Sequence, residues 1–161
     1  MPEWKAHVIT VSDGVHHGTR VDDSGDAVSI MLTKAGASRV GRTVVPDEAP
    51  AIADAICAAA SHADLVVTTG GTGFGPRDVT PEATTSVLER TAPGLVHLML
   101  ARGIASTPRA ALSRAAAGTV GRSLVINLPG SPRGAEESLA ALLPILPHAL
   151  QLVGGDTEHR T

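Results

Sequence analysis

Aromatic residues are nearly absent from this chain. Trp4 and Phe74 are the only two, and tyrosine does not occur. A single-stranded nucleic-acid platform needs aromatic faces on which bases stack, and this chain cannot supply them. Positive charge is also scarce: 13 Lys and Arg stand against 16 Asp and Glu, a formal net charge of −3. That balance suits neither a phosphate backbone nor an acidic surface, so no nucleic-acid partner is expected. Cys57 is the only cysteine, which excludes an internal disulfide and a cysteine zinc site. It falls in a helical stretch, Ala51 to Cys57, where it is expected to pack as a small hydrophobe. Long apolar runs are missing too. The longest, Leu139 to Val153, carries Pro144, Pro147 and His148 and falls short of the ~18 residues that span a bilayer. Met1-Pro2-Glu3-Trp4-Lys5 leads straight into a strand-like run without a signal-type pattern. No membrane partner and a cytoplasmic location are the expectations. The length, 161 residues, suits one domain over 1–161 with its core at about 5–154.

What is present is a regular alternation. His7 to Ser12 reads as a buried, β-branched strand ended by Asp13-Gly14. Ser24-Gly25-Asp26 opens a helix running to about Ala35, with Gly36 as its stop. Val40 to Val45 is a second strand, and Asp47 to Ala60 a second helix with Ile52, Ile56 and Ala59/Ala60 on one face. Asp64 to Thr69 is a third strand, apolar without alternation, as in parallel sheets covered on both faces. This βαβαβ unit predicts an α/β fold with a mostly parallel sheet. Thr80-Pro81-Glu82 reads as a helix start, Thr as cap and Pro at the first position. Pro93-Gly94 breaks that helix and begins another that ends near Gly103. Leu124 to Asn127 is a further buried strand. Helices follow over 133–143 and 147–153, and the tail 154–161 reads as polar and loose.

Three connections could carry chemistry. Thr69-Gly70-Gly71-Thr72-Gly73-Phe74-Gly75-Pro76-Arg77-Asp78 leaves a strand and enters a helix. A glycine backbone there lets a ligand approach closely, and exposed N–H groups can cradle an anion. The spacing matches neither a Walker A loop nor a dinucleotide fingerprint. Leu128-Pro129-Gly130-Ser131-Pro132 is a rigid turn presenting a small hydroxyl, or simply a strand-to-helix connection. Asp47, just after the second strand, is either a helix cap or part of a site. Parallel strands end on one edge, so Asp13, Asp47, the glycine loop and the Pro-Gly-Ser turn are expected to converge there. Asp47 and Asp78, flanking an anion cradle, could hold Mg²⁺ between phosphate oxygens. His16-His17 lacks a third metal ligand at a telling spacing. His62, His97, His148 and His159 are scattered and read as structural or solvated. Arg20, Arg102 and Arg109 could each meet a phosphate, a weak signal by itself. Phe74, inside the glycine loop, is the one ring placed to touch a ligand.

These motifs resemble the molybdopterin-binding Mog/MoaB family. The resemblance is carried by Thr69–Gly73, by Arg77-Asp78-Val79-Thr80-Pro81-Glu82-Ala83-Thr84, by Leu112-Ser113-Arg114-Ala115-Ala116-Ala117-Gly118 and by Leu128–Pro132. Ser12-Asp13, followed by Asp23-Ser24-Gly25, fits the family's first strand and helix, so the similarity spans about Lys5 to Gly154. It implies a three-layer α/β/α fold, a homotrimer, and a place in molybdenum cofactor biosynthesis. It also implies transfer of AMP from Mg-ATP to the terminal phosphate of molybdopterin, with release of pyrophosphate. The product would pass on to a molybdate-insertion protein. Carried over by motif, Asp47 and Asp78 are the catalytic carboxylates and would position Mg²⁺ and ATP. Gly70, Gly71, Thr72 and Gly73 would line the phosphate cradle. Ser12, Asp13, Thr80, Pro81, Ser113, Gly130 and Ser131 would line the ligand pocket.

The chain departs from the family pattern after Pro93-Gly94, where Leu95-Val96-His97-Leu98 replaces an acid and a base. Besides the adenylyltransferase, two readings stay open. One is a family member that binds the pterin without turnover. The other is an enzyme using this fold for a different phosphorylated ligand.

Overall fold

The computed structural model describes residues 2–156. The strands are β1 (Lys5–Val11), β2 (Arg39–Val45), β3 (Leu65–Thr69), β4 (Arg90–Thr91), β5 (Ala117–Val120) and β6 (Ser123–Leu128). They form one six-stranded sheet in the order β2-β1-β3-β6-β5-β4. β2, β1, β3 and β6 run parallel, whereas β5 pairs antiparallel with β6 and β4 antiparallel with β5. The helices are α1 (Asp13–His16), α2 (Asp23–Lys34), α3 (Ala49–Ala60), α4 (Thr80–Val87), α5 (Pro93–Ser106), α6 (Pro132–Leu142) and α7 (Leu146–Val153). A short 3₁₀ turn, Pro108–Leu112, follows α5.

Alternation along the strands divides the core into two apolar layers. Ala6, Val8, Leu65, Val67, Leu124 and Ile126 face Val28 and Leu32 of α2, Leu139 and Leu142 of α6, and Leu150 of α7. Ile9, Val11, Val66 and Val125 face Ile52 and Ile56 of α3 and Ala83 of α4. β1, β3 and β6 are therefore covered on both faces, which is why they read as nearly continuous apolar runs, while β2 at the edge is half-exposed. The expected three-layer α/β/α architecture with a mostly parallel sheet is what is found.

Several expectations need correction. The helix expected to run from Thr80 to Pro93 ends at Val87, and β4 intervenes. Neither β4 nor β5 is expected from sequence. A two-residue strand has no periodicity, and β5 contains Gly118, where a Cβ would strike the Arg90 carbonyl across the pair. Thr80 is the first residue of α4 and not its cap. Its hydroxyl donates to the Gly70 carbonyl at 2.9 Å and is thus committed to the glycine loop. α3 starts at Ala49 and not at Asp47. Cys57 is exposed on the outer side of α3, opposite Ile52 and Ile56. Residues 157–161, including His159 and most of the expected loose tail, lie outside the described residues. No helix among the described residues is long and apolar enough to cross a membrane.

Candidate functional site

Four parallel strands deliver their carboxyl ends to one edge, and the loops that leave them interlock. The Asp13 N–H donates to Asp47 Oδ2 at 2.9 Å, and the Asp47 N–H donates back to Asp13 Oδ1 at 3.0 Å. This reciprocal pair ties the β1 exit to the β2 exit. Arg77 then grips Asp13 with a two-pronged ion pair, both contacts at 3.0 Å, and ties in the glycine loop. The guanidinium holds the Asp13 carboxyl below its ordinary range, with the Asp47 N–H adding to the effect. Asp47 shifts upward instead. Burial is the chief cause, and the charges of Asp13 and Asp78 add to it against the Asp13 N–H.

The glycine loop spans the segment from the end of β3 to α4. Gly70 and Gly71 both adopt positive φ, 99° and 71°. A side chain at Gly70 would strike the Val11 carbonyl, and one at Gly71 the Thr80 hydroxyl. Only glycine passes through here without strain. Asp78 folds back over the loop, its Oδ2 accepting the Gly75 N–H at 2.8 Å. Among the described residues, the amides of Gly71, Thr72 and Gly73 donate to no protein acceptor. Such a run of unspent N–H groups can receive an anion.

Two cavities flank this structure. A polar cleft of about 670 Å³ is lined by Ser12, Asp47, Gly70, Gly71 and Asp78 on one side, and by Arg20, Asp22 and Ser24 on the other. A second cavity of about 450 Å³ lies beneath α5. Val96, Met99, Leu100 and Leu112 wall it, with Thr72, Gly73, Ser113 and Arg109 at its polar end. Gly130 and Ser131 line both cavities and form the partition between them. A Cβ at Gly130 would sit 3.2 Å from the Gly70 Cα, so the partition presses directly on the glycine loop.

Of the residues singled out from sequence, Ser12, Asp47, Gly70, Gly71 and Asp78 therefore meet in the cleft. Thr72, Gly73 and Ser113 meet in the second cavity, and Gly130 and Ser131 belong to both. Asp13, Thr80 and Pro81 line neither: Asp13 is spent on Arg77 and Asp47, and Thr80 and Pro81 are buried in the start of α4. Arg20 borders the cleft and Arg109 the second cavity, while Arg102 borders neither. Phe74 is 72 % exposed, with the Arg114 guanidinium 5.6 Å from its ring centre.

Sequence reasoning missed the far wall of the cleft. Asp22 caps α2 through the Gly25 N–H and accepts from the Thr10 hydroxyl at 2.7 Å, with Arg42 paired to it. Thr69 donates to the Pro129 carbonyl at 3.0 Å and contacts the Ser24 hydroxyl at 2.9 Å. Asp22 followed by Ser24-Gly25 is a cap signature, and the cap is what faces the cleft. Among the described residues, no group of three or more His, Cys, Asp or Glu is arranged to hold a metal. The His16 and His17 rings pack edge-on, 5.3 Å apart.

Comparison with known proteins places the chain as a whole. A family model described as a probable molybdopterin binding domain matches residues 7–148. The chain belongs to this family. A molybdopterin adenylyltransferase of Helicobacter pylori is 37 % identical over 153 residues, 92 % of this chain and 87 % of that protein. The crystal structure of the molybdopterin biosynthesis enzyme MoaB from Thermus thermophilus superposes with a TM-score of 0.84 at 47 % identity. It covers 94 % of this chain and 97 % of that one. A molybdopterin biosynthesis protein from Mycobacterium abscessus gives 0.90 at 36 %, covering 96 % of this chain and 98 % of that one. Other relatives are larger. The chain spans 23 % of Dictyostelium gephyrin, which is 39 % identical over 94 % of this chain. It likewise spans about half of the Chlorobaculum bifunctional molybdenum cofactor protein.

Proposed function

We propose that this protein is a molybdopterin adenylyltransferase, acting in molybdenum cofactor biosynthesis. The observation that carries the reading is the meeting of Asp47 and Asp78 in one cleft with Gly71, whose amide, like those of Thr72 and Gly73 at the neighbouring cavity, donates to no protein acceptor. The family membership and the adenylyltransferase relative support it. In the reaction, a terminal phosphate oxygen of molybdopterin attacks the α-phosphorus of ATP. The bond from that phosphorus to the bridging oxygen breaks, and pyrophosphate leaves. No covalent protein group is required, so positioning and charge stabilisation carry the catalysis.

The residues suit those tasks. The cradle of Gly71, Thr72 and Gly73 binds phosphate oxygens. Mg²⁺ fits the donor set as a partner of substrate phosphates, since it is commonly held by one or two carboxylates and otherwise by phosphates and water. Asp47 and Asp78 would supply those carboxylate oxygens, and the ion would neutralise charge developing on the leaving pyrophosphate. Burial and the charges of Asp13 and Asp78 raise Asp47, and a cation beside these carboxylates would offset that repulsion. The apolar second cavity accepts a flat ring system against aliphatic walls, with Ser113 and Ser131 hydroxyls at its edge. Ligands in the two cavities meet at the Gly130–Ser131 partition, where phosphate can reach phosphate. The reading carries a homotrimer, a cytoplasmic location and hand-over to a molybdate-insertion protein. The exposed apolar residues Leu98 and Ile104 of α5 suit a subunit contact.

The test is to supply molybdopterin, Mg²⁺ and ATP and to measure pyrophosphate. Release is expected, and unchanged release from Asp47→Asn and Asp78→Asn would sink the assignment of the two carboxylates. A second reading, pterin binding without turnover, is favoured by one observation. The start of α5, Leu95-Val96-His97-Leu98, offers no acid or base beside the second cavity. It predicts molybdopterin binding with no pyrophosphate under the same conditions.

A further inference from the structure

Arg114 has no part in the reaction described above, yet it makes more contacts to the glycine loop than any residue of the cleft. Its backbone N–H donates to the Thr72 carbonyl at 2.9 Å. Its Nε donates to the Gly73 carbonyl at 2.8 Å, and its Nη2 to the Asp78 carbonyl at 2.9 Å. Its Nη1 pairs with Glu82 in the first turn of α4, and the guanidinium stacks beside Phe74. One side chain thus brackets the turn that carries Asp78 at both ends and anchors it to a helix.

Apart from Arg114, that turn is tied to its surroundings at Arg77, whose guanidinium pairs with Asp13 at the β1 exit. Between Gly70 and Val79 there is no helix or strand. Thr80 fixes only its beginning, through the carbonyls of Gly70 and Gly71. Within the turn, Asp78 and Gly75 bond to one another, N–H to carbonyl at 3.0 Å and carboxylate to N–H at 2.8 Å. Those local bonds keep the turn closed, and the Arg77–Asp13 pair ties it to the β1 exit, but neither reaches the carbonyls of Gly73 and Asp78. Cβ atoms at Gly73 and Gly75 would come within 3.0 and 2.8 Å of Asp78 Oδ2, so the carboxylate rests on bare backbone and no side chain steers it. Among the described residues, Arg114 is the only side chain beyond Thr80 that bonds the carbonyls of this loop.

We infer that Arg114 is a positioning residue of the site: together with the Arg77–Asp13 pair, its planar guanidinium fork sets the direction of Asp78 and the spacing of the cradle amides. The inference rests on the adenylyl-transfer reading for its kinetic consequence, though not for its structural one. A planar fork that donates in several directions at once is specific to arginine; lysine offers a single flexible point charge. A displacement of about 1 Å at a reacting centre can cost ~100-fold in rate.

The experiment compares Arg114→Ala, Arg114→Lys and the wild type by two readouts. The first is amide hydrogen exchange over residues 72–79, which needs no substrate. Faster exchange at Gly75 and Asp78 is expected in Arg114→Ala, with α3 and β1 unchanged. The second is pyrophosphate release, with kcat and KM resolved. A fall in kcat of about 10- to 100-fold is expected in Arg114→Ala, with a smaller change in the KM for molybdopterin. Arg114→Lys should fall between, because it keeps the charge and loses the fork. Unchanged exchange overturns the inference whatever the activity, and so does faster exchange with kcat intact. A loss confined to KM also overturns it, since it would make Arg114 a binding residue. Failure of the adenylyl-transfer reading appears separately, as absent pyrophosphate from the wild type, and leaves the exchange result to decide the structural claim.

Discussion

The two cavities share a partition and little else. The cleft at the strand ends is built from charge and backbone: Asp47, Asp78, Asp22, Arg20 and the glycines. The cavity beneath α5 is walled mainly by aliphatic side chains, with Arg109, Glu137, Asn127 and several hydroxyls also in its lining. Each wall follows from the element behind it. Parallel strand ends present loops whose N–H groups have no ladder partner, so they collect anions and the carboxylates that manage cations. α5 contributes a single buried residue, Met99; Leu95 and Val96 rest half-buried against the core, Val96 and Leu100 line the cavity, and Leu98 and Ile104 are exposed. Charge can be managed in the first place and shape in the second. The contrast suits two ligands of opposite character, a polyphosphate and a ring system.

The most direct way to break this contrast is to remove charge from the cleft alone. Asp78→Asn is expected to lower kcat for pyrophosphate release by 100-fold or more, in line with losses of about 3 kcal/mol for single electrostatic groups. Its thermal stability should stay near the wild type, because the amide oxygen still accepts the Gly75 N–H. A comparable loss from Leu112→Ala would erase the division of labour between the cavities.

Next in size is the backbone of the cleft. Gly70→Ala forces an L side chain into positive φ and drives a methyl against the Val11 carbonyl. A cost of about 2 kcal/mol or more is expected, above the ~1 kcal/mol of the left-handed conformation alone. Chemical denaturation measures it. By contrast, a Cβ at Gly121 also meets positive φ but open space, so Gly121→Ala should cost only the conformational part.

Legibility divides along similar lines. The parallel half of the sheet is readable because β1, β3 and β6 are apolar runs buried on both faces and its strands lead into helices with a periodic apolar stripe. Asp47, Asp78 and the glycines were readable because they stand at the ends of those strands, where topology alone collects them. The antiparallel edge was not. Arg90–Thr91 is too short to have a period, and Gly118 sits in β5 because a neighbouring backbone leaves no room for a side chain. By motif Asp13 and Thr80 read as pocket residues, yet in the structure both hold loops together. A carboxylate that binds a ligand and one that binds a neighbouring loop look alike in one dimension. Arg114 was visible only as a letter in a motif, since its partners are carbonyls, and carbonyls carry no sequence signature.

Removing apolar surface should act on the other side of the partition. Leu112 is 58 % exposed at the rim of the second cavity. Leu112→Ala is expected to change stability by less than about 0.5 kcal/mol. It should raise the KM for molybdopterin several-fold and move kcat less. A larger effect on the KM for ATP than on that for molybdopterin would reverse the assignment of the two cavities.

The smallest expected effect is the most telling about the cleft. Burial, with Asp13 and Asp78 nearby, holds the Asp47 carboxyl above its ordinary value. A carboxyl whose folded-state pKa is raised binds its proton more tightly in the folded chain than in the unfolded one. Its ionisation therefore opposes folding. The opposition is absent well below the ordinary carboxylate range, grows as pH rises through the folded-state pKa, and is complete at neutral pH. Asp47→Asn removes it while leaving an amide oxygen to accept the Asp13 N–H. The variant should melt slightly above the wild type at pH 7, and the gap should close towards pH 3 to 4. Mg²⁺ should close the gap at pH 7 from the other direction, by stabilising the wild type and not the variant. A variant that melts below the wild type at pH 7 would mean that Asp47 is held by its loop contacts more than it is strained by its charge. The cleft would then be a structural knot, and its resemblance to a cation site would have to rest on Asp78 alone.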